Sequence, residues 1–208
     1  MSPWRRRLQV AARRRQKVLD AREERGQLAQ WFLLAGLRGR GAWSDPDPAG
    51  LTAFYPPNDA FWADPFAWSP GGRRVIFCEE YSFRSRLGRI GALELDVGAD
   101  GRIAPLGSMV PVVDEARHLS YPFLFAFEGE LYMVPESAAT RRVDLYRCTA
   151  FPHAWTQVGT LMSGIQAADS TLFEHEGRWW LFCAARLGRT RLNESLLAFH
   201  ADTPLSDR

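Results

Sequence analysis

From Phe61 onward the chain alternates short apolar runs with polar turns, and three stretches follow one template. Asp64–Glu79, Tyr121–Glu136 and Asp169–Ala184 align without a gap. Each opens on a polar residue and enters a first run: Pro65-Phe66-Ala67-Trp68, Pro122-Phe123-Leu124-Phe125, Ser170-Thr171-Leu172-Phe173. A glycine follows eight positions after the opening residue (Gly72, Gly129, Gly177). A second apolar run comes next: Val75-Ile76-Phe77-Cys78, Tyr132-Met133-Val134-Pro135, Trp180-Leu181-Phe182-Cys183. The copies start 57 and 48 residues apart. A repeat of that length, built from short strands and tight turns, predicts an all-β propeller.

Blade one takes strands at 64–68, 74–80, 89–95 and 106–112, and blade two at 121–127, 131–135, 143–148 and 155–161. Blade three takes 170–173, 179–184 and 195–200. Ser69-Pro70-Gly71-Gly72, Glu128-Gly129 and Glu176-Gly177 supply the turns. The blades fall near 61–113, 118–162 and 166–208. Three blades do not close a ring, so the propeller is incomplete and its sheet edges are open. Before it, residues 4–35 read as a helix, because no Pro or Gly interrupts the pattern until Gly26. The expected organisation is a basic helical extension over 1–37, a linker over 38–60 rich in Gly, Pro and Asp, and the partial propeller over 61–208.

Charge sharpens this division. The chain's net charge is +2, but residues 1–40 carry eleven basic and three acidic residues, and the body is net acidic. The arm lacks the interleaved aromatics and glycines of an RNA-binding segment, so no nucleic-acid partner is expected. Trp31-Phe32-Leu33-Leu34-Ala35-Gly36-Leu37 is too short to span a bilayer and too late for a secretory signal. Cytoplasmic residence follows as the expectation. Cys78, Cys148 and Cys183 form no CxxC pair and read as free thiols, and the four histidines have no metal-ligand spacing. Neither a metal nor a cofactor is expected.

The repeat also predicts a site. In a propeller the first strand of each blade lines the central axis, and the second runs antiparallel beside it. Pairing Trp68 with Val75 sets Asp64 opposite Glu79, Tyr121 near Glu136, and Asp169 near Ala184. Rotation about the axis gathers these residues around one mouth. Its candidate ligand-binding residues are Asp64, Glu79, Glu80, His118, Tyr121, Glu136 and Asp169. Glu79 and Glu80 are adjacent, so only one of them faces the mouth, and the other meets solvent or an arginine. Carboxylates accept from hydroxyls and rings stack on C–H faces, which suits a polyhydroxylated ligand. The plainer use of an Asp at a strand start is to accept from backbone N–H groups of a turn.

Trp62-Ala63-Asp64-Pro65-Phe66, His118-Leu119-Ser120-Tyr121-Pro122-Phe123, Tyr132-Met133-Val134-Pro135-Glu136-Ser137 and Asp169-Ser170-Thr171-Leu172-Phe173 resemble a known family. It is the N-terminal propeller-like domain of plant glucosamine inositolphosphorylceramide transferase and its bacterial relatives. The resemblance covers roughly residues 61–205. More distantly, the sequence is similar to five-bladed propeller glycosidases of the arabinanase and β-xylosidase type. That likeness implies Asp64 as a general base and Asp169 as the residue that tunes the acid, if the chain is an enzyme. No residue here matches the acid, which belongs to a fourth blade.

The expected fold is therefore a partial, about three-bladed portion of a five-bladed β-propeller. The expected function is non-catalytic binding of a carbohydrate or glycoconjugate, accessory to a sugar-modifying or transferase enzyme whose catalytic domain lies outside this chain. The alternatives are a glycosidase-like hydrolase, or a fragment of one, and a protein-binding scaffold with the basic arm as its tether.

Overall fold

The computed structural model describes residues 30–37 and 50–205. Contacts divide the chain after Trp31, and the description concerns the unit from Phe32 onward. Among the described residues there are strands and three short 3-10 turns, and no α-helix.

Each repeat forms one antiparallel sheet. Blade one is β3 (Ala60–Trp68), β4 (Arg74–Ser82) and β5 (Leu87–Val97), with β6 (Ile103–Pro105) and β7 (Val110–Val113) both pairing with β5. Blade two runs β8 (Ser120–Phe127), β9 (Glu130–Glu136), β10 (Arg142–Ala150) and β11 (Ala154–Ser163). Blade three runs β12 (Ala167–His175), β13 (Arg178–Ala185) and β14 (Leu196–Ala201). A separate pair, β1 (Leu33–Ala35) and β2 (Thr52–Phe54), precedes them. The inner hairpins of blades two and three close through two residues each, Glu128-Gly129 and Glu176-Gly177, all at positive φ. A two-residue hairpin turn of this kind twists with the strands, and glycine at its second position removes the steric cost.

The sheets stack face to face. Phe66, Trp68, Val75 and Phe77 of blade one pack against Leu124, Met133 and Tyr146 of blade two. Blade two repeats the arrangement, with Phe125, Tyr132 and Val134 meeting Leu172, Leu181 and Cys183 of blade three. The other face of blade one, with Trp62, Ile76, Cys78 and Leu93, is covered by Leu33 and Phe54 of β1 and β2. Period-2 alternation along β4 accounts for this: Val75 and Phe77 face blade two, while Ile76 and Cys78 face β1 and β2.

Two readings of the N-terminal region change. The helix expected over 4–35 lies largely outside the described residues, but its last residues form β1, not helix. Leu33 is buried while Leu34 is 52% exposed, the alternation of a strand that lends one side chain to a core. Helical propensity is weaker than that burial. Of the linker expected over 38–60, Thr52–Phe54 is strand and β3 starts at Ala60. The fourth strand expected over 106–112 is replaced by two short ones, β6 and β7.

Phe77 is fully buried between blades one and two. Phe77→Ala should cost about 3–5 kcal/mol through lost transfer energy and a residual cavity. Leu106→Ala, at a 65% exposed position, should stay within about 0.5 kcal/mol. Urea unfolding of the two variants checks the contrast.

Candidate functional site

All three inner strands break register at the same place. In blade one Ala63 pairs with Glu79 and Phe66 with Phe77, so Asp64 and Pro65 together oppose Cys78. In blade two Ser120 pairs with Glu136 and Phe123 with Val134, leaving Tyr121 and Pro122 across from Pro135. In blade three Ala168 pairs with Ala184 and Thr171 with Phe182, leaving Asp169 and Ser170 across from Cys183. Two residues facing one is a β-bulge, and a bulge re-aims the side chain it carries. The first bulge residue is left-handed each time: φ is +52° at Asp64, +44° at Tyr121 and +53° at Asp169. Aspartate tolerates this region well, and tyrosine does so at greater steric cost. Proline follows in two copies, where a missing N–H is harmless because the ladder is already interrupted.

The bulges hydrogen-bond across blades. The Tyr121 N–H donates to Asp64 Oδ2 at 3.3 Å. The Asp169 N–H donates to the Glu136 carboxyl, which also shares a side-chain hydrogen bond with Asp169. The Tyr121 hydroxyl and Thr171 Oγ1 lie 2.8 Å apart. The Tyr121 ring meets Phe66 edge-on, with centroids 5.0 Å apart. On the blade-one side, Gly88 N–H donates to His118 Nδ1 at 2.9 Å. That bond leaves Nε2 to carry the proton, and Nε2 points at Glu79 Oε1, 3.5 Å away. Gly88 is required there: a Cβ would sit 2.5 Å from Glu79 Oε1 and 2.6 Å from the Leu119 carbonyl oxygen.

These carboxyls hold one another's protons. Burial first, and then the Asp64 and Glu136 carboxyls, push Glu79 up to about 8. Burial, followed by Asp169, pushes Glu136 up to about 7. Asp64 is raised by burial, with the Tyr121 N–H working against the shift. Burial lowers His118, against the pull of Asp64. Near neutral pH, Glu79 is therefore a neutral carboxylic acid and His118 a neutral imidazole. The site thus offers both hydroxyl-type donors and carboxylate acceptors.

The structure brings together Asp64, Glu79, His118, Tyr121, Glu136 and Asp169. It does not bring Glu80. Adjacent strand residues face opposite sides, and Glu80 pairs with Arg89 at 2.7 Å, which in turn holds Asp114 at 3.0 Å. The expected pairings are displaced by one residue, because the bulge absorbs an extra position: Ala63, not Asp64, faces Glu79. The plainer role for Asp64, accepting a backbone N–H, is realised, though from the neighbouring blade and not from its own turn. Gly88 and Thr171 were missed. Gly88 carries a sequence signal, a glycine opening a strand beside an apolar run, and Thr171 carries none. Among the described residues no group of three or more His, Cys, Asp or Glu is placed to hold a metal ion, and no helix is long and apolar enough to cross a membrane.

Comparison with known proteins shows the family and the fold. Residues 51–208 match the family model described as glucosamine inositolphosphorylceramide transferase 1, N-terminal. The glucosamine inositolphosphorylceramide transferase 1 of Oryza sativa subsp. japonica is 38% identical over 154 residues, covering 73% of this chain and 20% of that protein. That of Arabidopsis thaliana is 36% identical over 172 residues, covering 79% and 21%. The chain thus spans about a fifth of the length of these relatives. Among solved structures, an exo-β-1,3-galactanase from Clostridium thermocellum superposes with a TM-score of 0.53 at 16% identity, covering 72% of this chain and 35% of that one. A β-fructofuranosidase of Bombyx mori gives 0.54 at 15%, covering 71% and 35%. A family 117 glycoside hydrolase of Zobellia galactanivorans gives 0.53 at 14%, covering 87% and 61%. At such identities the likeness is one of fold, here the propeller-type fold of glycoside hydrolases.

A carboxyl whose folded pKa lies above its unfolded value stabilises the fold at low pH and loses that contribution as pH rises through the folded pKa. Glu79, at about 8 against an unfolded value of about 4.3, should therefore make the protein less stable as pH rises from about 6.5 to 8. His118, lowered by burial, acts in the opposite sense while its unfolded imidazole loses its proton near pH 6.5, so the Glu79 slope stands clear toward the upper end of that window. Urea unfolding at fixed ionic strength should show this falling stability, and Glu79→Gln should reduce its slope, the remainder below about pH 7 coming from Glu136. An equally steep slope in the variant would remove Glu79 as its source.

Proposed function

The chain belongs to the family of glucosamine inositolphosphorylceramide transferase 1 N-terminal domains, and we propose that its mouth binds a glycan or glycoconjugate as a non-catalytic module of a sugar-modifying or transferase system. The observation that carries this reading is the convergence, through one repeated bulge, of Asp64, Tyr121 and Asp169 with Glu79, Glu136 and His118. A polyol presents many hydroxyls, each both donor and acceptor. A mouth holding ionised carboxylate beside protonated carboxyl answers both roles. The edge-packed Tyr121 and Phe66 rings supply the apolar surface against which C–H faces stack. Three free cysteines, two of them buried, fit a reducing setting such as the cytoplasm.

A second reading, a glycosidase-like hydrolase with Asp64 as base, is favoured by one observation. Glu136 is pushed up to about 7, where a group exchanges protons most effectively at neutral pH. Against it, Glu136 is already engaged with both the backbone and the side chain of Asp169. Glycoside hydrolysis also needs two carboxyls flanking one bond, and none of these contacts shows that arrangement.

Binding to an array of neutral, acidic and amino-sugar glycans tests the proposal. Asp169→Asn, at an exposed position, and Asp64→Ala should each weaken binding about tenfold or more, since a hydrogen bond to a charged group contributes about 1.5–3 kcal/mol. Binding unchanged in both variants would remove the mouth as the site. Turnover of aryl glycosides that disappears in Asp64→Asn would establish the hydrolase instead.

A further inference from the structure

Blade three reverses the charge of the repeat at the rim of the mouth. Two positions beyond Glu79, Glu136 and Ala184, the three copies carry Tyr81, Ala138 and Arg186. Three positions before Asp64, Tyr121 and Asp169, they carry Phe61, His118 and Gln166. Where His118 meets Glu79 between blades one and two, Gln166 and Arg186 therefore take the corresponding places in blade three. The Arg186 N–H donates to the Gln166 carbonyl at 3.0 Å, one rung beyond the Ala167–Ala185 and Ala168–Ala184 pairs that lead to the Asp169 bulge. At about 3.3 Å per residue, Gln166 lies about 10 Å along β12 from Asp169.

Gln166 and Arg186 line a recess of about 270 Å3 together with Arg141 and Gly188. Arg141 follows the β9 strand that ends at Glu136, so the recess joins blade two to blade three beside the mouth. The Arg141 Nη2 donates to the Gly164 carbonyl, which holds one corner of the guanidinium and leaves its other N–H groups free to donate. Arg73, Arg89, Arg117 and Arg142 each hold a carboxylate. Among the described residues neither Arg141 nor Arg186 does. Two forks of donors thus share one recess with no acid to neutralise them. A neutral hydroxyl both donates and accepts, and a guanidinium offers it no acceptor. A carboxylate has two oxygens, and one bidentate fork occupies both. A phosphate monoester carries three acceptor oxygens and a charge of about −1.5 to −2, which two forks can divide.

We infer that this recess is a phosphate subsite, in which Arg141 and Arg186, with the Gln166 amide, hold the phosphate of a sugar phosphate monoester whose hydroxyl-bearing ring lies in the mouth. The inference rests on the mouth being a glycan site, as proposed above, and names the class of glycan. The work divides by charge: the carboxyls of the mouth meet hydroxyls, and the two guanidiniums meet the anion.

Phosphorus NMR titration of the full chain at fixed ionic strength, with inorganic phosphate and glucose 6-phosphate as probes, tests this. Both should bind, and Arg141→Gln combined with Arg186→Gln should weaken each about tenfold or more. Arg74→Gln combined with Arg178→Gln, at exposed positions beside the turns that open β4 and β13, should change binding by less than about twofold. The melting temperature should hold in both pairs. Asp64→Ala should weaken glucose 6-phosphate and leave inorganic phosphate as it was. If Asp64→Ala changes neither probe while the Arg141 and Arg186 pair loses both, the phosphate subsite stands and the mouth is not where the sugar ring binds. No binding of either probe at about 10 mM would overturn the inference. So would wild-type binding in the Arg141 and Arg186 pair, or an equal loss in the Arg74 and Arg178 pair, which would reduce the effect to general charge. Glucuronic acid that competes as strongly as glucose 6-phosphate would give the recess to a carboxylate and overturn it too.

Discussion

The hydrogen bond from the Tyr121 N–H to Asp64 depends on Tyr121 being left-handed, with φ at +44°. In an ordinary strand that N–H would point along the ladder toward β9. The bulge turns it out of the sheet and toward the preceding blade, and the same turn at Asp169 offers its N–H to Glu136. Each left-handed non-glycine residue costs on the order of 1–3 kcal/mol. For aspartate the cost is small, because its side chain is at home in that region. For Tyr121 it is met by tertiary contacts, the edge-on packing with Phe66 and the hydroxyl contact with Thr171. One backbone device thus aims the side chains at the axis and also ties adjacent blades together there.

That device draws carboxyls into an environment that penalises their charge. Glu79 is buried, and its carboxyl neighbours add repulsion to the loss of water. Keeping it ionised would cost more than taking up a proton, so the proton wins. His118 gives no compensating positive charge, since burial lowers its own affinity for a second proton. The Glu79–His118 contact, 3.5 Å between Oε1 and Nε2, is accordingly one between a neutral acid and a neutral imidazole and not an ion pair. Asp169 is exposed and Asp64 half-buried, so these two carboxyls of the group lie nearer solvent than Glu79.

Much of this was legible in the sequence, for a physical reason. Hairpin turns are local: Glu128-Gly129 and Glu176-Gly177 announce left-handed pairs, and the strands on either side inherit their register from them. Counting outward from the turn correctly paired Trp68 with Val75, and failed only past Phe66, where the bulge inserts a residue. The Asp-Pro dipeptide at 64–65 was the one hint of that bulge, and Tyr121-Pro122 repeats it. Alternation separates Glu79 from Glu80, but the direction of Glu80 was decided by Arg89, a contact no spacing rule reveals. The strand at Leu33–Ala35 was hidden because three residues are too few for a period, and its partner lies at Thr52–Phe54, beyond a stretch rich in Pro and Asp.

The departures from strict repetition shape the mouth as much as the repeats do. Where blades one and two close their second strands with Glu79 and Glu136, blade three has Ala184. Where they carry Phe66 and Phe123 just past the bulge, blade three has Thr171. Both changes shrink the side chain at the axis on the same blade, and neither adds charge. The acid cluster is therefore crowded beside blades one and two and thin beside blade three. There Asp169 stands exposed, and the Tyr121 hydroxyl reaches across to Thr171. A perfect repeat would have enclosed a third buried acid. The imperfect one leaves Asp169 the most accessible carboxyl of the group and Glu79 the most buried.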